Sequence, residues 1–292
     1  MPTSTSVSAQ SLTYASIFTT RTFRALAAEN VHDIAARLAP LAEVAGARTT
    51  AEAFEGAHAR LLQDYRCEYV YKNALVSKIL FQRHRPWTAS AILEQPMGDS
   101  EADIVVLNGT TTVYEIKTEF DQYSRLSKQL HDYSTRAAKV FVVTSDRRAS
   151  ALESRLPDGV GLLGLRRNGA LTTLRDAVSA VDRLNIDHLF GLLRSDEAQT
   201  FLKETIGYQP DVPRGLLSAR MRELFCALDI RVAHAGVVTA LRGRGAPAAR
   251  LVTDATFPAS LRALAYGAAL SKVGADRVLE RLALPLPLLL GA

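Results

Sequence analysis

Residues 102 to 120 read ADIVVLNGTTTVYEIKTEF. Two runs rich in β-branched and apolar residues flank Asn108-Gly109, a pair that reverses a strand into a hairpin. A hairpin of this composition commits the chain to a sheet with a buried face. Yet Asp103, Glu115 and Lys117 stand inside its strands, where apolar residues would pack better.

Side chains alternate between the faces of a strand, so Glu115 and Lys117 share one. The turn decides whether Asp103 joins them. A two-residue Asn-Gly loop sets Asp103 opposite Tyr114, on the other face. A three-residue loop, Leu107-Asn108-Gly109, sets Val106 opposite Thr110 and Asp103 opposite Val113. Asp103, Val113, Glu115 and Lys117 then line one face. That loop wants a left-handed residue at its last position, and Gly109 supplies it. The three-residue version is the expected one.

Two carboxylates close together on a buried face repel, and burial makes both hard to ionise. A hard divalent cation removes the conflict: Mg²⁺ takes a few carboxylates and keeps several waters. Such an ion polarises a phosphoryl oxygen and acidifies a bound water, and an adjacent ammonium stabilises charge on the phosphate. The spacing D-x(11)-E-x-K is therefore chemically suited to phosphodiester hydrolysis. The bland alternative is a solvated strand face carrying a Glu–Lys pair.

The chain around the hairpin alternates helix and strand. Residues 18 to 64 read as helical, and TTAEAFEGAHARLLQDY opens with capping threonines. A second helix, RCEYVYKNALVSKILFQRH, is closed by Pro86. Strands TASAILEQP, ADIVVLN and TTTVYEIKT follow, then helix SRLSKQLHDYSTRA, strand KVFVVTS, a short helix RRASALESRL and strand VGLLGLR. This order predicts an α/β layered core with a mixed sheet. Past residue 180 the strand signal fades into helical periods, with Pro210 and Pro213 marking a loop. Three parts are expected: a loose tail over 1–17, an α/β domain with N-terminal helices over 18–178, and a helical C-terminal region over 179–292.

These elements resemble the PD-(D/E)XK nuclease superfamily, whose restriction-endonuclease-like core runs αβββαβ. The helix CEYVYKNALVSKIL carries Glu68, ADIVV carries Asp103, YEIK supplies Glu115 and Lys117, and RLSKQLHDY supplies Gln129 and Tyr133 in the Q-x(3)-Y spacing of RecB-like members. More narrowly, residues 66 to 165 resemble a little-characterised bacterial family of predicted nuclease-like proteins with a similar E-I-K and R-L-x-x-Q-x-x-x-Y string. The resemblance implies a Mg²⁺ site, with Mn²⁺ able to substitute. Its ligands would be Asp103, Glu115, the Ile116 carbonyl and Glu68, with Lys117 assisting the attacking water. Gln129 and Tyr133, i and i+4 on one helical face, would position the site or contact the nucleic-acid backbone; plain packing of the helix on the sheet is their other reading. One departure stands out: Glu101 occupies a position where related sequences commonly carry a basic residue. It reads as a solvated strand-edge residue.

Other charged residues read blandly. Glu119 is expected to face water; Glu94 reaches the site or faces water, with water favoured; Asp121 and Arg125, i and i+4, read either as an ordinary helical ion pair or as a functional pair. Basic groups occur at Arg83 to Arg85, at 147–148 and 166–167, and at Arg242 to Arg244 in the loop-like stretch LRGRGAP. The net charge of +5 is compatible with a polyanionic partner. The six histidines lack zinc spacing, and no G-x-x-x-x-G-K marks a built-in ATP motor.

Cys67 and Cys226 make no disulfide framework, which suits a reducing cytoplasm. The ending LALPLPLLLGA is too short and proline-broken to span a bilayer and reads as a tail packed on the body. The expected activity is metal-dependent hydrolysis of nucleic acid, DNA before RNA. A catalytically silent binding module on the same fold is the alternative, and the helical C-terminus is the surface expected for a protein partner.

Overall fold

A computed structural model describes residues 7–30 and 34–291. Along the chain run α1 (Ala9–Ile17), α2 (Thr20–Ala27), α3 (Ile34–Leu38), α4 (Thr50–Asp64) and α5 (Glu68–Leu75), the last continued by a π-helical stretch, Val76–Arg83. Strands β1 (Ser90–Met97), β2 (Ser100–Leu107) and β3 (Thr111–Lys117) follow. Next come α6 (Leu126–Ser134), β4 (Lys139–Ser145), α7 (Asp146–Glu153), β5 (Gly161–Leu165) and β6 (Leu171–Arg175). The rest is helical: α8 (Ile186–Phe190), α9 (Ser195–Ile206), α10 (Leu217–Cys226), α11 (Ile230–Arg244), α12 (Ala246–Val252), α13 (Arg262–Ala268), α14 (Lys272–Ala283) and α15 (Leu286–Leu290).

The result is a mixed α/β protein with one six-stranded sheet in the order β1-β2-β3-β4-β5-β6 and helical flanks. β1–β2 and β2–β3 are antiparallel and β3–β4 is parallel. The expected strands all form. β6, LTTLR, went unread because its residues are half-buried or exposed and show neither a continuous apolar run nor a clean alternation. No helix among the described residues is long and apolar enough to cross a membrane.

Two compact units divide the chain, and they interleave in sequence. One holds the described parts of Met1–Trp87, Leu165–Thr172 and Gly245–Ala292; the other holds Thr88–Gly164 and Thr173–Arg244. A single cut between 178 and 179 is therefore not the division the contacts follow. The expected loose tail also resolves differently. Residues 1–6 lie outside the described residues, whereas Ala9–Ile17 is helix, capped by the Ser8 hydroxyl and burying Tyr14 and Ile17.

In the first unit, Thr49 caps α4 through the Glu52 amide, as its sequence suggests. Phe18 stacks on Tyr69 with centroids 4.8 Å apart. The C-terminal end is tied down: Thr50 donates its amide and hydroxyl to the Leu284 carbonyl at 2.8 and 2.9 Å, and Leu286 is buried.

In the second unit, β3 is buried along its whole length. On one face Tyr114 stacks on Phe141, with ring centroids 5.3 Å apart. The opposite face joins Val105, Leu107, Val113, Val140 and Val142 to Leu126, Leu130 and Tyr133 of α6 in one core. Phe225, Val237 and Leu241 extend that core into α10 and α11. It is this apolar face that the charged residues interrupt.

Candidate functional site

The hairpin turn forms one residue later than expected. Val106 pairs with Thr112 and Leu107 with Thr111, so the three-residue loop is Asn108-Gly109-Thr110. Leu107 is fully buried, and keeping it in the ladder retains about 1.5–3 kcal/mol of burial that a loop position would forfeit. Gly109 has φ +67°, a left-handed conformation that glycine takes without strain, and it stands at the middle of this loop, not at the last position expected of it. The shift moves each partner by two residues, so the parity is unchanged. Asp103 still shares its face with Glu115 and Lys117, now opposite Glu115 instead of Val113.

The β2–β3 ladder ends at Ile104–Tyr114. One step further, the Asp103 side chain replaces the backbone: the Ile116 amide donates to Asp103 Oδ2 at 2.6 Å. Two residues before Asp103, the Glu101 carbonyl lies 2.7 Å from the Tyr133 hydroxyl, whose one proton it shares with Glu115. Side chains therefore satisfy backbone groups where the two strands part, which is what buried polar backbone demands.

Glu115 is 2% exposed and Lys117 8%. Lys117 Nζ donates to Glu115 Oε1 at 2.6 Å and to Gln129 Oε1 at 3.0 Å, while Gln129 Nε2 donates to Glu115 Oε1 at 2.6 Å. The Tyr133 hydroxyl reaches Glu115 Oε2 at 2.8 Å. Gln129 and Tyr133 do this together because i and i+4 positions share a helix face. Burial, then the Glu115 charge, push the Tyr133 phenol far above its ordinary range, so it stays a neutral donor.

The structure thus brings together Asp103, Glu115, Lys117, Gln129 and Tyr133, with Ile116 between Glu115 and Lys117 in sequence. Glu68 belongs to the other unit, where it heads α5 and forms an ion pair with Lys72 at 2.6 Å. Glu101, Glu119 and Glu94 are exposed, as their positions suggest. Asp121 and Arg125 precede α6 and do not form the expected helical pair. Asp121 Oδ2 instead accepts the Thr118 amide and hydroxyl, both at 2.7 Å, because a short acidic side chain satisfies a turn more readily than a distant guanidinium. LRGRGAP is not a loop: Arg242 and Arg244 lie in the last turn of α11, and Arg244 is paired with Glu197 at 2.5 Å.

Among the described residues, no three His, Cys, Asp or Glu gather as a metal cluster. The donor set near the hairpin is two carboxylates and a carbonyl, all hard oxygens. That set fits Mg²⁺ or Mn²⁺, which are held through one or two carboxylates plus waters, and does not fit a four-ligand zinc centre. A carboxylate has about four lone-pair sites, so the three donors on Glu115 do not exhaust it.

One contributor was missed from sequence: the turn after β3. Arg148 donates to the Thr118 carbonyl at 2.7 Å and lies over the Tyr123 ring at 4.8 Å. The available signal was the aromatic pair Phe120 and Tyr123 within a polar stretch.

A family model described as bacteriophage P4 protein cII matches residues 62–243. Protein cII of Enterobacteria phage P4 is 24% identical over 182 residues, covering 61% of this chain. The match covers 64% of that relative's own length. A solved structure, a protein of unknown function from Silicibacter pomeroyi, aligns with TM-score 0.30 and 16% identity over 46% of this chain and 92% of its own.

Proposed function

The chain belongs to the bacteriophage P4 protein cII family, and from that premise we propose that its sheet unit is a restriction-endonuclease-like core hydrolysing phosphodiester bonds in nucleic acid, DNA first. One observation carries the reading. Asp103 and Glu115 sit opposite each other where β2 and β3 part, with Lys117 Nζ 2.6 Å from Glu115 Oε1 on a face that is otherwise apolar. A sheet gains nothing in packing from two acids and a lysine there, and burying them costs free energy unless they act together.

Asp103, Glu115 and the Ile116 carbonyl would hold Mg²⁺ or Mn²⁺. When bound, such an ion supplies charge for a phosphoryl oxygen and lowers the pKa of a water. Lys117 carries the positive charge beside the phosphate and orients the attacking water. Gln129 fixes Lys117 and Glu115 relative to each other, and Tyr133 holds the second Glu115 oxygen. Asp103 is oriented by the Ile116 amide. The protein would act in a reducing cytoplasm, with its C-terminal helices open to a protein partner.

The test is cleavage of supercoiled, linear and single-stranded DNA with Mg²⁺ or Mn²⁺, beside Asp103→Ala and Lys117→Ala proteins and an EDTA control. Metal-dependent cutting lost in both variants supports the site. No cutting by folded protein removes it.

A second reading, a catalytically silent nucleic-acid-binding or protein-interaction module, has its own observation. Glu115 already accepts bonds from Lys117, Gln129 and Tyr133, a complete-looking network without further chemistry. Salt-sensitive DNA binding without cleavage would favour it.

A further inference from the structure

Phe120 stands 62% exposed three residues beyond Lys117. A single exposed apolar side chain is ordinary, so the ring alone carries nothing; its mounting does. The Thr118 amide and hydroxyl both donate to Asp121 Oδ2, and the Phe120 amide donates to Thr118 Oγ1 at 3.2 Å. Arg148, in the first turn of α7, clamps the Thr118 carbonyl. The turn is closed on itself and tied to the neighbouring helix, so the backbone that carries Phe120 has little conformational freedom left to lose on binding.

The turn alternates aromatic and cationic residues along the chain: Phe120, Tyr123 and Arg125. The Tyr123 ring has Arg148 at 4.8 Å and Arg155 at 5.8 Å. Arg125 and Arg147 are exposed. Rings that stack bases, interleaved with arginines that neutralise phosphates, are the chemistry of single-strand recognition. Glu119 opposes phosphate approach at the turn itself, so the turn suits the base, with the backbone left to Arg125 and Arg147. Three peptide steps of about 3.8 Å keep the Phe120 Cα within roughly 11 Å of the Lys117 Cα, close enough to serve one strand at both places.

We propose that the 118–125 turn is a stacking platform for an unpaired base, which makes single-stranded DNA the substrate class of the adjacent site. In a duplex each base is already stacked and offers Phe120 no face. This assignment rests on the nuclease reading for its substrate but not for its binding step.

The test is fluorescence anisotropy of the full chain in EDTA, with a labelled mixed-sequence oligonucleotide and its duplex as probes. The single strand is expected to bind more tightly than the duplex. Phe120→Ala should weaken single-strand binding about 10-fold, a loss within the range of one base–aromatic stack. Duplex affinity should not change, and Phe120→Trp should restore the loss. Equal affinity for the two probes, an unchanged Phe120→Ala, or no binding of either probe overturns the platform. Because no divalent ion is present, the two readings fail separately. Phe120-dependent binding without cleavage in Mg²⁺ sinks the nuclease and leaves the platform; cleavage with Phe120-independent binding does the reverse.

Discussion

The Tyr133 hydroxyl meets Glu115 Oε2 at 2.8 Å with both side chains sealed from solvent. Burial and the carboxylate hold the phenol neutral far above its ordinary pKa. The folded state therefore keeps this proton where the unfolded chain, titrating near 10, releases it. Stability from this group is complete below about pH 10 and declines above it. Denaturant melts at pH 8 and pH 11 should show that decline, and Tyr133→Phe should reduce it. Tyr266, pushed up to about 12 by burial, leaves a residual slope. At pH 8 the same variant should cost about 1–2 kcal/mol for the donor lost to Glu115.

Lys117 is both a proposed catalytic group and the counter-charge of a buried carboxylate. Lys117→Met should abolish cleavage and also destabilise the fold by about 3–5 kcal/mol, because Glu115 is left buried without its cation. Adding Glu115→Gln removes the orphaned charge. The double variant should regain much of the stability and none of the activity. A double variant as unstable as the single one would refute this account of the pair.

Cation binding can be read without catalysis. A ligand that binds only the folded state stabilises it by about 2.7 kcal/mol at 100 times its Kd. Mg²⁺ or Mn²⁺ should raise the melting temperature of the native protein and leave Asp103→Asn unmoved. Identical curves for the two proteins would remove the metal from the site.

The hairpin and the α9–α11 crossing each depend on one glycine. Gly109→Ala would meet no atoms but would hold alanine at φ +67°, a cost of about 1–2 kcal/mol. Gly236→Ala would drive its methyl into the Phe201 ring. That close contact should cost about 1–3 kcal/mol as the helices adjust. Thermal melts should show both losses. A Gly236→Ala protein as stable as the native one would contradict the close crossing.

The acidic and basic residues of the site were legible because their spacing is short and periodic. Glu115 and Lys117 are two apart on a strand, and Gln129 and Tyr133 four apart on a helix, so local geometry alone aligns each pair. The face of Asp103 followed from parity, which survived a turn placed one residue too early. The ion-pair reading of Asp121 failed because residues 121 to 125 precede the helix, and spacing cannot say where a helix starts when a turn offers its carboxylate a nearer partner. LRGRGAP was misread because glycine weakens a helix only modestly, and the half-buried Arg244–Glu197 pair belongs to the fold.

By itself the sequence determined the alternation of helix and strand, the sheet that follows from it, and the shared face of Asp103, Glu115 and Lys117. Each of these depends on residues a few positions apart and on the periods of 2.0 and 3.6 that backbone geometry imposes. Only the tertiary structure decided which donors close on Glu115, and that the Ile116 amide turns to Asp103. It also set Arg148 against the turn carrying Phe120, and drew two compact units from interleaved stretches of chain. Those contacts join residues far apart in sequence, and they are selected by burial and by the need to satisfy every buried polar group, which no local pattern encodes.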